Sequence, residues 1–396
     1  MVDHVLTLNA GSSSIKFALF AAAAPWPRLM AQGQVQGLGA QPSFAVSIVD
    51  GQSLQRPMAG GDHAAGIEQI LEWLKEAFPE IAIKAVGHRV VHGGVNYAAP
   101  TIVDDRVLEE LRELEPLAPL HQPHNVAGID AARKVFPFAP QIACFDTAFH
   151  RGQSFVNEAY ALPRAYYERG LRRFGFHGLS YEYIALRLRE LEPVLSCGRV
   201  IVAHLGNGAS LCAMKDGRSV ATTMGFSALE GLPMGTRCGQ IDPGLLLYLL
   251  EHDKKSPEAL GDLLYEQSGL KGLSGISQDM RALEASDNPK ASEAIAYFTH
   301  RIRMGIGALT AALGGLDALV FTAGIGEHSA RVRAEVLSGL DWLGLTLDTK
   351  ANARNDMRIS AKEAKIPVFV LATNEEATIA QHTVKTAGLT QISAAA

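Results

Sequence analysis

The sequence predicts an α/β protein of two domains built from one unit used twice. Three observations carry that expectation. A chain of 396 residues is too long for one ordinary core. Short β-branched and aromatic runs alternate with segments of helical spacing. The opening stretch VLTLNAGSSSIKFALF (5–20) returns half a chain later as VIVAHLGNGASLCAMKDG (200–217), each a strand, a small-residue turn and a second strand.

The elements follow in order. Residues 5–8 form an apolar strand, and 15–20 a second one rich in β-formers. The turn between them ends in Lys16 like a P-loop, but Ile15 stands where that motif needs glycine, and a strand follows where it needs a helix. Residues 44–49 read as a strand ending at Asp50-Gly51. Ile67, Ile70, Leu71, Leu74 and Phe78 mark a helix over 63–78. A strand over 85–91 follows, then a helix capped by Asp105 and carrying Val107, Leu108, Leu111 and Leu114. Residues 125–136 complete the first half as a helix, with a short buried strand at 142–145. The second half restarts with strands over 200–205, 209–214 and 218–223, joined by Gly206-Asn207-Gly208 and Asp216-Gly217. A third glycine element, DALVFTAGIGEHS (317–329), reads as strand, turn and then a helix over 330–337. Bare backbone at such turns lets a phosphate, sugar or base come close.

Composition bounds the function. The hydrophobic fraction is 47%, the charged fraction 19% and the net charge −5. That balance speaks against a nucleic-acid binder working by phosphate neutralisation, and leaves ATP open as a ligand. Cys144, Cys197, Cys212 and Cys238 make no C-x-x-C pair, which suits reduced thiols in the cytoplasm. The N-terminus lacks a basic targeting region, and FALFAAAAPWP is too short to span a bilayer, so no membrane association is expected. HRVVH (88–92) lacks the glutamate of a zinc H-E-x-x-H helix. His121 and His124, among prolines, read as structural residues of a loop.

Nine stretches then occur in order along the chain: LNAGSSSIKF, GHRVVHGG (87–94), FDTAFH (145–150), RRFGFHG (172–178), HLGNGAS (204–210), MGTRCGQIDP (234–243), SGISQDMR (274–281), AGIGEH (323–328) and TNEE (373–376). Together they resemble the acetate kinase family, of the actin-like ATPase superfamily that also holds sugar kinases, Hsp70 and actin. The resemblance implies two actin-like (ribonuclease H-like) domains with mixed β-sheets flanked by helices and an active site in the interdomain cleft. Residues 1–147 with 377–396 would form the first domain and 148–376 the second, nucleotide-binding one. It also implies a homodimer that moves the γ-phosphoryl group between ATP and a short carboxylate, with Mg²⁺ or Mn²⁺ in its place as cofactor.

Such a reaction brings two anions together, so cations are needed, and a guanidinium fork suits carboxylate or phosphoryl oxygens. Arg89 and Arg237 match the family's motif arginines. His177 matches the histidine that hydrogen-bonds the transferring phosphoryl group, and Asp146 the catalytic carboxylate. Asn9, Asp146 and Glu375 match the metal side, with Glu376 as the other carboxylate of TNEE. Lys16 lies near the phosphates by the same resemblance, although a solvated strand lysine is its ordinary reading. His204 and Leu205, then Gly206, Asn207 and Gly208 on to Ser210, with Asp279, Met280 and Arg281 and with Gly324, Ile325, Gly326, Glu327 and His328, would wrap the nucleotide. Val91, Leu120, Phe176 and Ala228 would line the acyl pocket.

The chain departs from the family pattern at four places. Tyr181 replaces a second histidine, Gln240 an aspartate, His328 an asparagine and Ala228 a proline. The last removes ring bulk from the acyl pocket, so propionate should be tolerated better than is usual. Propionate or butyrate kinase is therefore the nearest alternative. A non-catalytic ATP-binding switch would not need both arginines and GFHG, and a sugar kinase would need an aspartate base that an ionised carboxylate does not.

Overall fold

The first hairpin sets the plan of the molecule. In the computed structural model, which describes residues 2–58, 60–389 and 392–393, β1 (His4–Ala10) returns antiparallel as β2 (Ser14–Ala21), with Asn9 opposite Lys16. β3 (Ala23–Ala24) is a two-residue strand, after which β4 (Arg28–Gln36), β5 (Ser43–Ile48) and β6 (Ser53–Pro57) extend the meander outward. On its other side β1 runs parallel to β7 (Ile83–Val90), and β7 parallel to β9 (Gln141–Phe145), edged by the two-residue β8 (Thr101–Ile102). The sheet order is β6-β5-β4-β2-β1-β7-β9-β8.

The second sheet repeats the inner part of this plan. β10 (Arg199–Leu205) and β11 (Ala209–Lys215) form an antiparallel hairpin with His204 opposite Ser210, and β12 (Arg218–Thr222) continues the meander. β13 (Ala318–Thr322) runs parallel to β10, and β14 (Val368–Val370) parallel to β13, giving β12-β11-β10-β13-β14. A hairpin followed by two parallel strands on its first-strand side occurs in both sheets, which is the duplication seen in the sequence. The chain divides into two units, Met1–Phe149 with Asn374–Ala396, and His150–Thr373, so Glu375 and Glu376 belong with the first.

In the first unit the helix His63–Ala77 turns Ile67, Ile70 and Leu74 onto the sheet, where Phe17, Phe44 and Trp73 form a ring cluster with centroids 5.7–6.0 Å apart. A second apolar cluster gathers Val107, Leu108 and Leu111 against Val90 and Phe145. The helix Glu375–Thr386 lies so close to β7 that a Cβ on Gly87 would come 2.0 Å from Thr383 Oγ1. Glycine at 87 is what lets that helix, with its two leading glutamates, seat on the sheet. In the second unit the 25-residue helix Pro289–Leu313 buries Ile295, Phe298, Ile302 and Ile306, and a Cβ on its Gly305 would meet Leu211 at 2.6 Å.

The structure corrects four local expectations. Asp104, not Asp105, caps the helix Asp105–Glu113, its carboxylate accepting from Val107 N–H at 2.8 Å. The next helix starts at Gln122 rather than 125, because Pro123 sits in its first turn, where a missing N–H costs nothing. His121 is therefore the cap residue of that helix and His124 a residue within it, stacked 5.6 Å from His63, not members of a loop. The stretch expected as a Gly324–Glu327 turn is itself a short helix, Ala323–His328, followed by Ser329 capping Ala330–Leu337.

Candidate active site

In open α/β sheets, functional groups gather beyond the carboxyl ends of the parallel strands. The first unit does this with Asn9 near the end of β1, Arg89 near the end of β7 and Asp146 just past β9. Arg89 grips Asp146 with both arms of its fork, Nη2 to Oδ2 at 2.6 Å and Nε to Oδ1 at 3.2 Å. Its Nη1 donates to Asn9 Oδ1 at 3.5 Å, and Nε stands 3.7 Å from Glu375 Oε2. Asp146 is buried, while Arg89 and Glu375 keep 20% and 18% of their side chains exposed, so the cluster remains reachable from solvent. Burial pulls the Arg89 pKa down, but the charges of Asp146 and Glu375 outweigh it and raise the value. Glu375 goes the other way for a carboxyl. Burial raises its pKa, and Glu376 adds to the shift against the pull of Arg89 and Lys16. Lys16 is an exposed strand lysine that, with Glu376, borders a groove of about 560 Å³.

The second unit assembles a different cluster. His177 adopts a left-handed conformation, φ +59°, at the start of the helix Gly178–Leu191. Its ring stacks on His204 with centroids 4.1 Å apart and planes at 17°. His177 Nδ1 bonds Ser210 Oγ at 2.8 Å, and His204 Nδ1 bonds Ser180 Oγ at 2.8 Å. The opposite edges face the glycine turn: a Cβ on Gly206 would lie 3.9 Å from His204 Nε2, and one on Gly208 3.1 Å from His177 Nε2 and 3.9 Å from Arg237 Nη1. Two histidines and an arginine thus converge on a bare backbone. Arg237 Nη1 donates to the Ala228 carbonyl at 3.1 Å and approaches Met234 Sδ at 3.6 Å.

Beside that turn lies a cavity of about 410 Å³ lined by Gly206, Asn207, Gln278, Asp279, Met280, Arg281, Glu284, Gly324, Ile325, His328 and Ser329. Three sequence segments expected to surround a nucleotide meet there. Asp279 closes its own end through a two-armed pair with Arg281, Nη2 to Oδ2 at 2.7 Å. The Ala323–His328 helix is held from behind by Arg333, fully buried, which donates to the carbonyls of Gly326 at 2.8 Å and Glu327 at 2.9 Å and to both Asn352 and Asn355. Burial lowers the Arg333 pKa to about 10.

Not every expected residue joins these groups. Leu205 is a buried strand residue, Gly326 is buried in its helix, and Glu327 accepts from Thr373 N–H at 3.2 Å instead of facing the cavity. Val91 and Phe176 are buried, while Leu120 is exposed. Ser210 closes the expected Gly206–Ser210 segment and meets His177 and Tyr181. Gln278, Glu284, Ser329 and Arg333 were not anticipated. Of these only Arg333 left a sequence signal, a charge on the apolar stripe formed by Val332, Val336 and Leu337. Two departures find partners: Gln240 Oε1 accepts from Arg301 at 2.7 Å, and Tyr181 bonds Ser210 at 2.5 Å. His88 bonds Gln141 at 2.8 Å, and among the described residues no group of three or more His, Cys, Asp or Glu is set for a metal.

Comparison with known proteins agrees with this geometry. A family model described as the acetokinase family matches residues 4–381. The acetate kinase of Methylocella silvestris is 53% identical over 390 residues, 96% of each chain. Among solved structures, the acetate kinase of Porphyromonas gingivalis superposes with a TM-score of 0.88 at 36% identity, covering 97% of this chain and 99% of that one. A propionate kinase from Francisella tularensis gives 0.91 at 34% identity with the same coverage.

Proposed function

The chain belongs to the acetokinase family, and from that premise we propose that it transfers the γ-phosphoryl group of ATP to acetate, reversibly and by direct in-line displacement, giving acetyl phosphate and ADP. The observation that carries this reading is the convergence of His177, His204 and Arg237 on the Gly206–Gly208 turn beside the 410 Å³ cavity. The cavity takes the nucleotide, and the bare turn lets its phosphates approach the three cationic or donor groups.

Acetate is ionised at neutral pH, so no general base is required. Phosphoryl transfer proceeds through a loose transition state and asks mainly for positioning and charge stabilisation. Arg237 and Arg89 bind carboxylate and phosphoryl oxygens, and His177 donates a hydrogen bond to an equatorial oxygen. Asp146 keeps the Arg89 fork aimed.

Mg²⁺ fits the first unit's oxygen set. Asn9, Asp146 and Glu375 are hard donors, too few to enclose a cation, which suits an ion that keeps several waters and binds through phosphates. Glu375 keeps part of its side chain exposed beside Arg89, so it can meet a hydrated cation directly or through water. When bound, the metal supplies charge neutralisation of the phosphates.

Propionate is a second acceptor favoured by a specific residue, since Ala228 replaces a bulkier proline beside Arg237. A homodimer is supported by the helix Pro243–Glu251, which has no buried residue and exposes Leu245, Leu247 and Tyr248. The reading places the enzyme in the cytoplasm, where its four cysteines, none in a disulfide, stay reduced. The test is Mg-ATP with acetate, propionate, butyrate or glucose, trapping acyl phosphate with hydroxylamine. Hydroxamate is expected with acetate and, more weakly, propionate; none from any acid defeats the proposal.

A further inference from the structure

Four residues after His177, where the family pattern has a second histidine, this chain carries Tyr181, with no exposed surface. The first turn of the helix Gly178–Leu191 brings it beneath His177, its N–H donating to the His177 carbonyl at 3.0 Å. Its phenol oxygen lies 2.5 Å from Ser210 Oγ, and Ser210 Oγ lies 2.8 Å from His177 Nδ1. Ser210 is itself fully buried on β11. Three side chains are therefore wired in series, from phenol to hydroxyl to imidazole.

The direction of the protons decides what His177 presents to a ligand. A serine hydroxyl has one proton to give, and an imidazole nitrogen either gives or accepts. Burial keeps the Tyr181 phenol protonated, its pKa well above the ordinary tyrosine value. A phenol that gives its proton to Ser210 leaves the serine proton for His177 Nδ1. The neighbouring His150 has the same wiring: Nε2 must donate to the Phe176 carbonyl at 2.9 Å, so Nδ1 accepts from Ser219 at 2.8 Å.

We propose that Tyr181 and Ser210 are positioning residues that hold His177 as the neutral Nε2–H tautomer, through the chain Tyr181 O–H to Ser210 O–H to His177 Nδ1. The inference rests on the reading that His177 meets the transferring phosphoryl group. Nε2 is the edge that faces Gly208 and the Arg237 fork. With its proton there, the ring offers a donor to an anionic oxygen. The other tautomer would turn a lone pair on that oxygen and repel it. Tyrosine thus fills the role at 181 by a route open to a histidine N–H as well.

The test is a long-range ¹H–¹⁵N correlation spectrum of the ¹⁵N-histidine-labelled full-length protein at neutral pH, with the His177 signals assigned from a His177→Asn variant. The expected spectrum has Nε2 protonated and Nδ1 accepting. Tyr181→Phe and Ser210→Ala should each mix the tautomers, and Tyr181→Phe should lower kcat about tenfold while the KM for ATP stays within about twofold. Tyr181→His should restore both tautomer and kcat. An Nδ1–H or doubly protonated ring in the wild type, or an unchanged tautomer in both Tyr181→Phe and Ser210→Ala, overturns the proposal. The expected spectra with full activity in His177→Asn would instead defeat the phosphoryl role of His177 and leave the hydrogen-bond chain standing.

Discussion

Arg89 and Arg237 have the same side chain and opposite settings. Arg89 is gripped by charge: Asp146 takes both arms of its fork, and Glu375 stands behind it. Arg237 is steered by a backbone dipole, the Ala228 carbonyl, and by a thioether. The first guanidinium is part of the unit's electrostatic frame, whereas the second hangs on the conformation of one loop. Activity should therefore depend on both, but stability mainly on the first.

The largest expected effect tests that division. Arg89→Ala and Arg237→Ala should each lower kcat about a thousandfold in the hydroxamate assay. Arg89→Ala should also destabilise the fold by about 3–5 kcal/mol, because it removes the guanidinium that balances buried Asp146. Arg237→Ala should cost about 1 kcal/mol or less in denaturant unfolding. Equal stability losses in the two variants would erase the contrast.

Glu375 sharpens the same comparison from the carboxylate side. Its pKa is raised in the fold, so the proton is held more tightly there than in the unfolded chain. Its contribution to stability is present below the ordinary glutamate pKa and is lost as pH rises through the folded value. Glu375→Gln should flatten that part of the stability profile when measured without metal or nucleotide. It should also raise the Mg²⁺ concentration for half-maximal rate about tenfold. Parallel pH profiles for the two proteins would contradict the assignment.

How much of this was readable in advance follows the range of the interactions. The hairpin duplication was legible because β alternation and small-residue turns are local signals, and both hairpins stand where they were expected. Arg89, Asp146 and the glycine segments sit in contiguous motifs, so they too were legible. The helix at Gln122 starts three residues before the expected position, and Pro123 is compatible with it because a first turn needs no N–H there. The link of Ser210 to Tyr181 and the role of Arg333 were not legible, for a different reason. Ser210 matters only because the β10–β11 register and the turn at His177 bring it to Tyr181, and Arg333 only because the helix Ala330–Leu337 carries it under the Gly326 and Glu327 carbonyls.

A smaller effect probes the loop that steers Arg237. Tyr160 O–H donates to Glu230 at 2.6 Å and accepts from Phe226 N–H at 2.8 Å, while Glu230 pairs with Arg173 at 2.8 Å. Phe174 N–H in turn donates to the Gly225 carbonyl at 2.9 Å, so this network joins the segment before His177 to the segment before Ala228. Tyr160→Phe leaves a half-buried amide and carboxylate short of a partner and should cost about 1 kcal/mol. The kcat should fall several-fold with little change in the KM for ATP, since no residue of the network lines the glycine cavity. A KM for ATP that rises as much as kcat falls would show that the network serves the nucleotide instead.

The smallest effect is the most specific to this chain. Ala228 contributes its carbonyl to Arg237, and that group survives replacement by proline. Ala228→Pro therefore changes the bulk beside the arginine while keeping the bond that aims it. A pocket discriminates one methylene by about 1–3 kcal/mol, so the ratio of kcat/KM for acetate over propionate should rise by about tenfold. The kcat for acetate should move much less than in Arg237→Ala, because the guanidinium keeps its acceptor. An unchanged ratio would mean that residue 228 acts on the acyl chain only through its backbone. A collapse of kcat with both acids would mean that the ring disturbs the loop itself, and that Arg237 depends on the path of that loop even more closely than its contact with the Ala228 carbonyl implies.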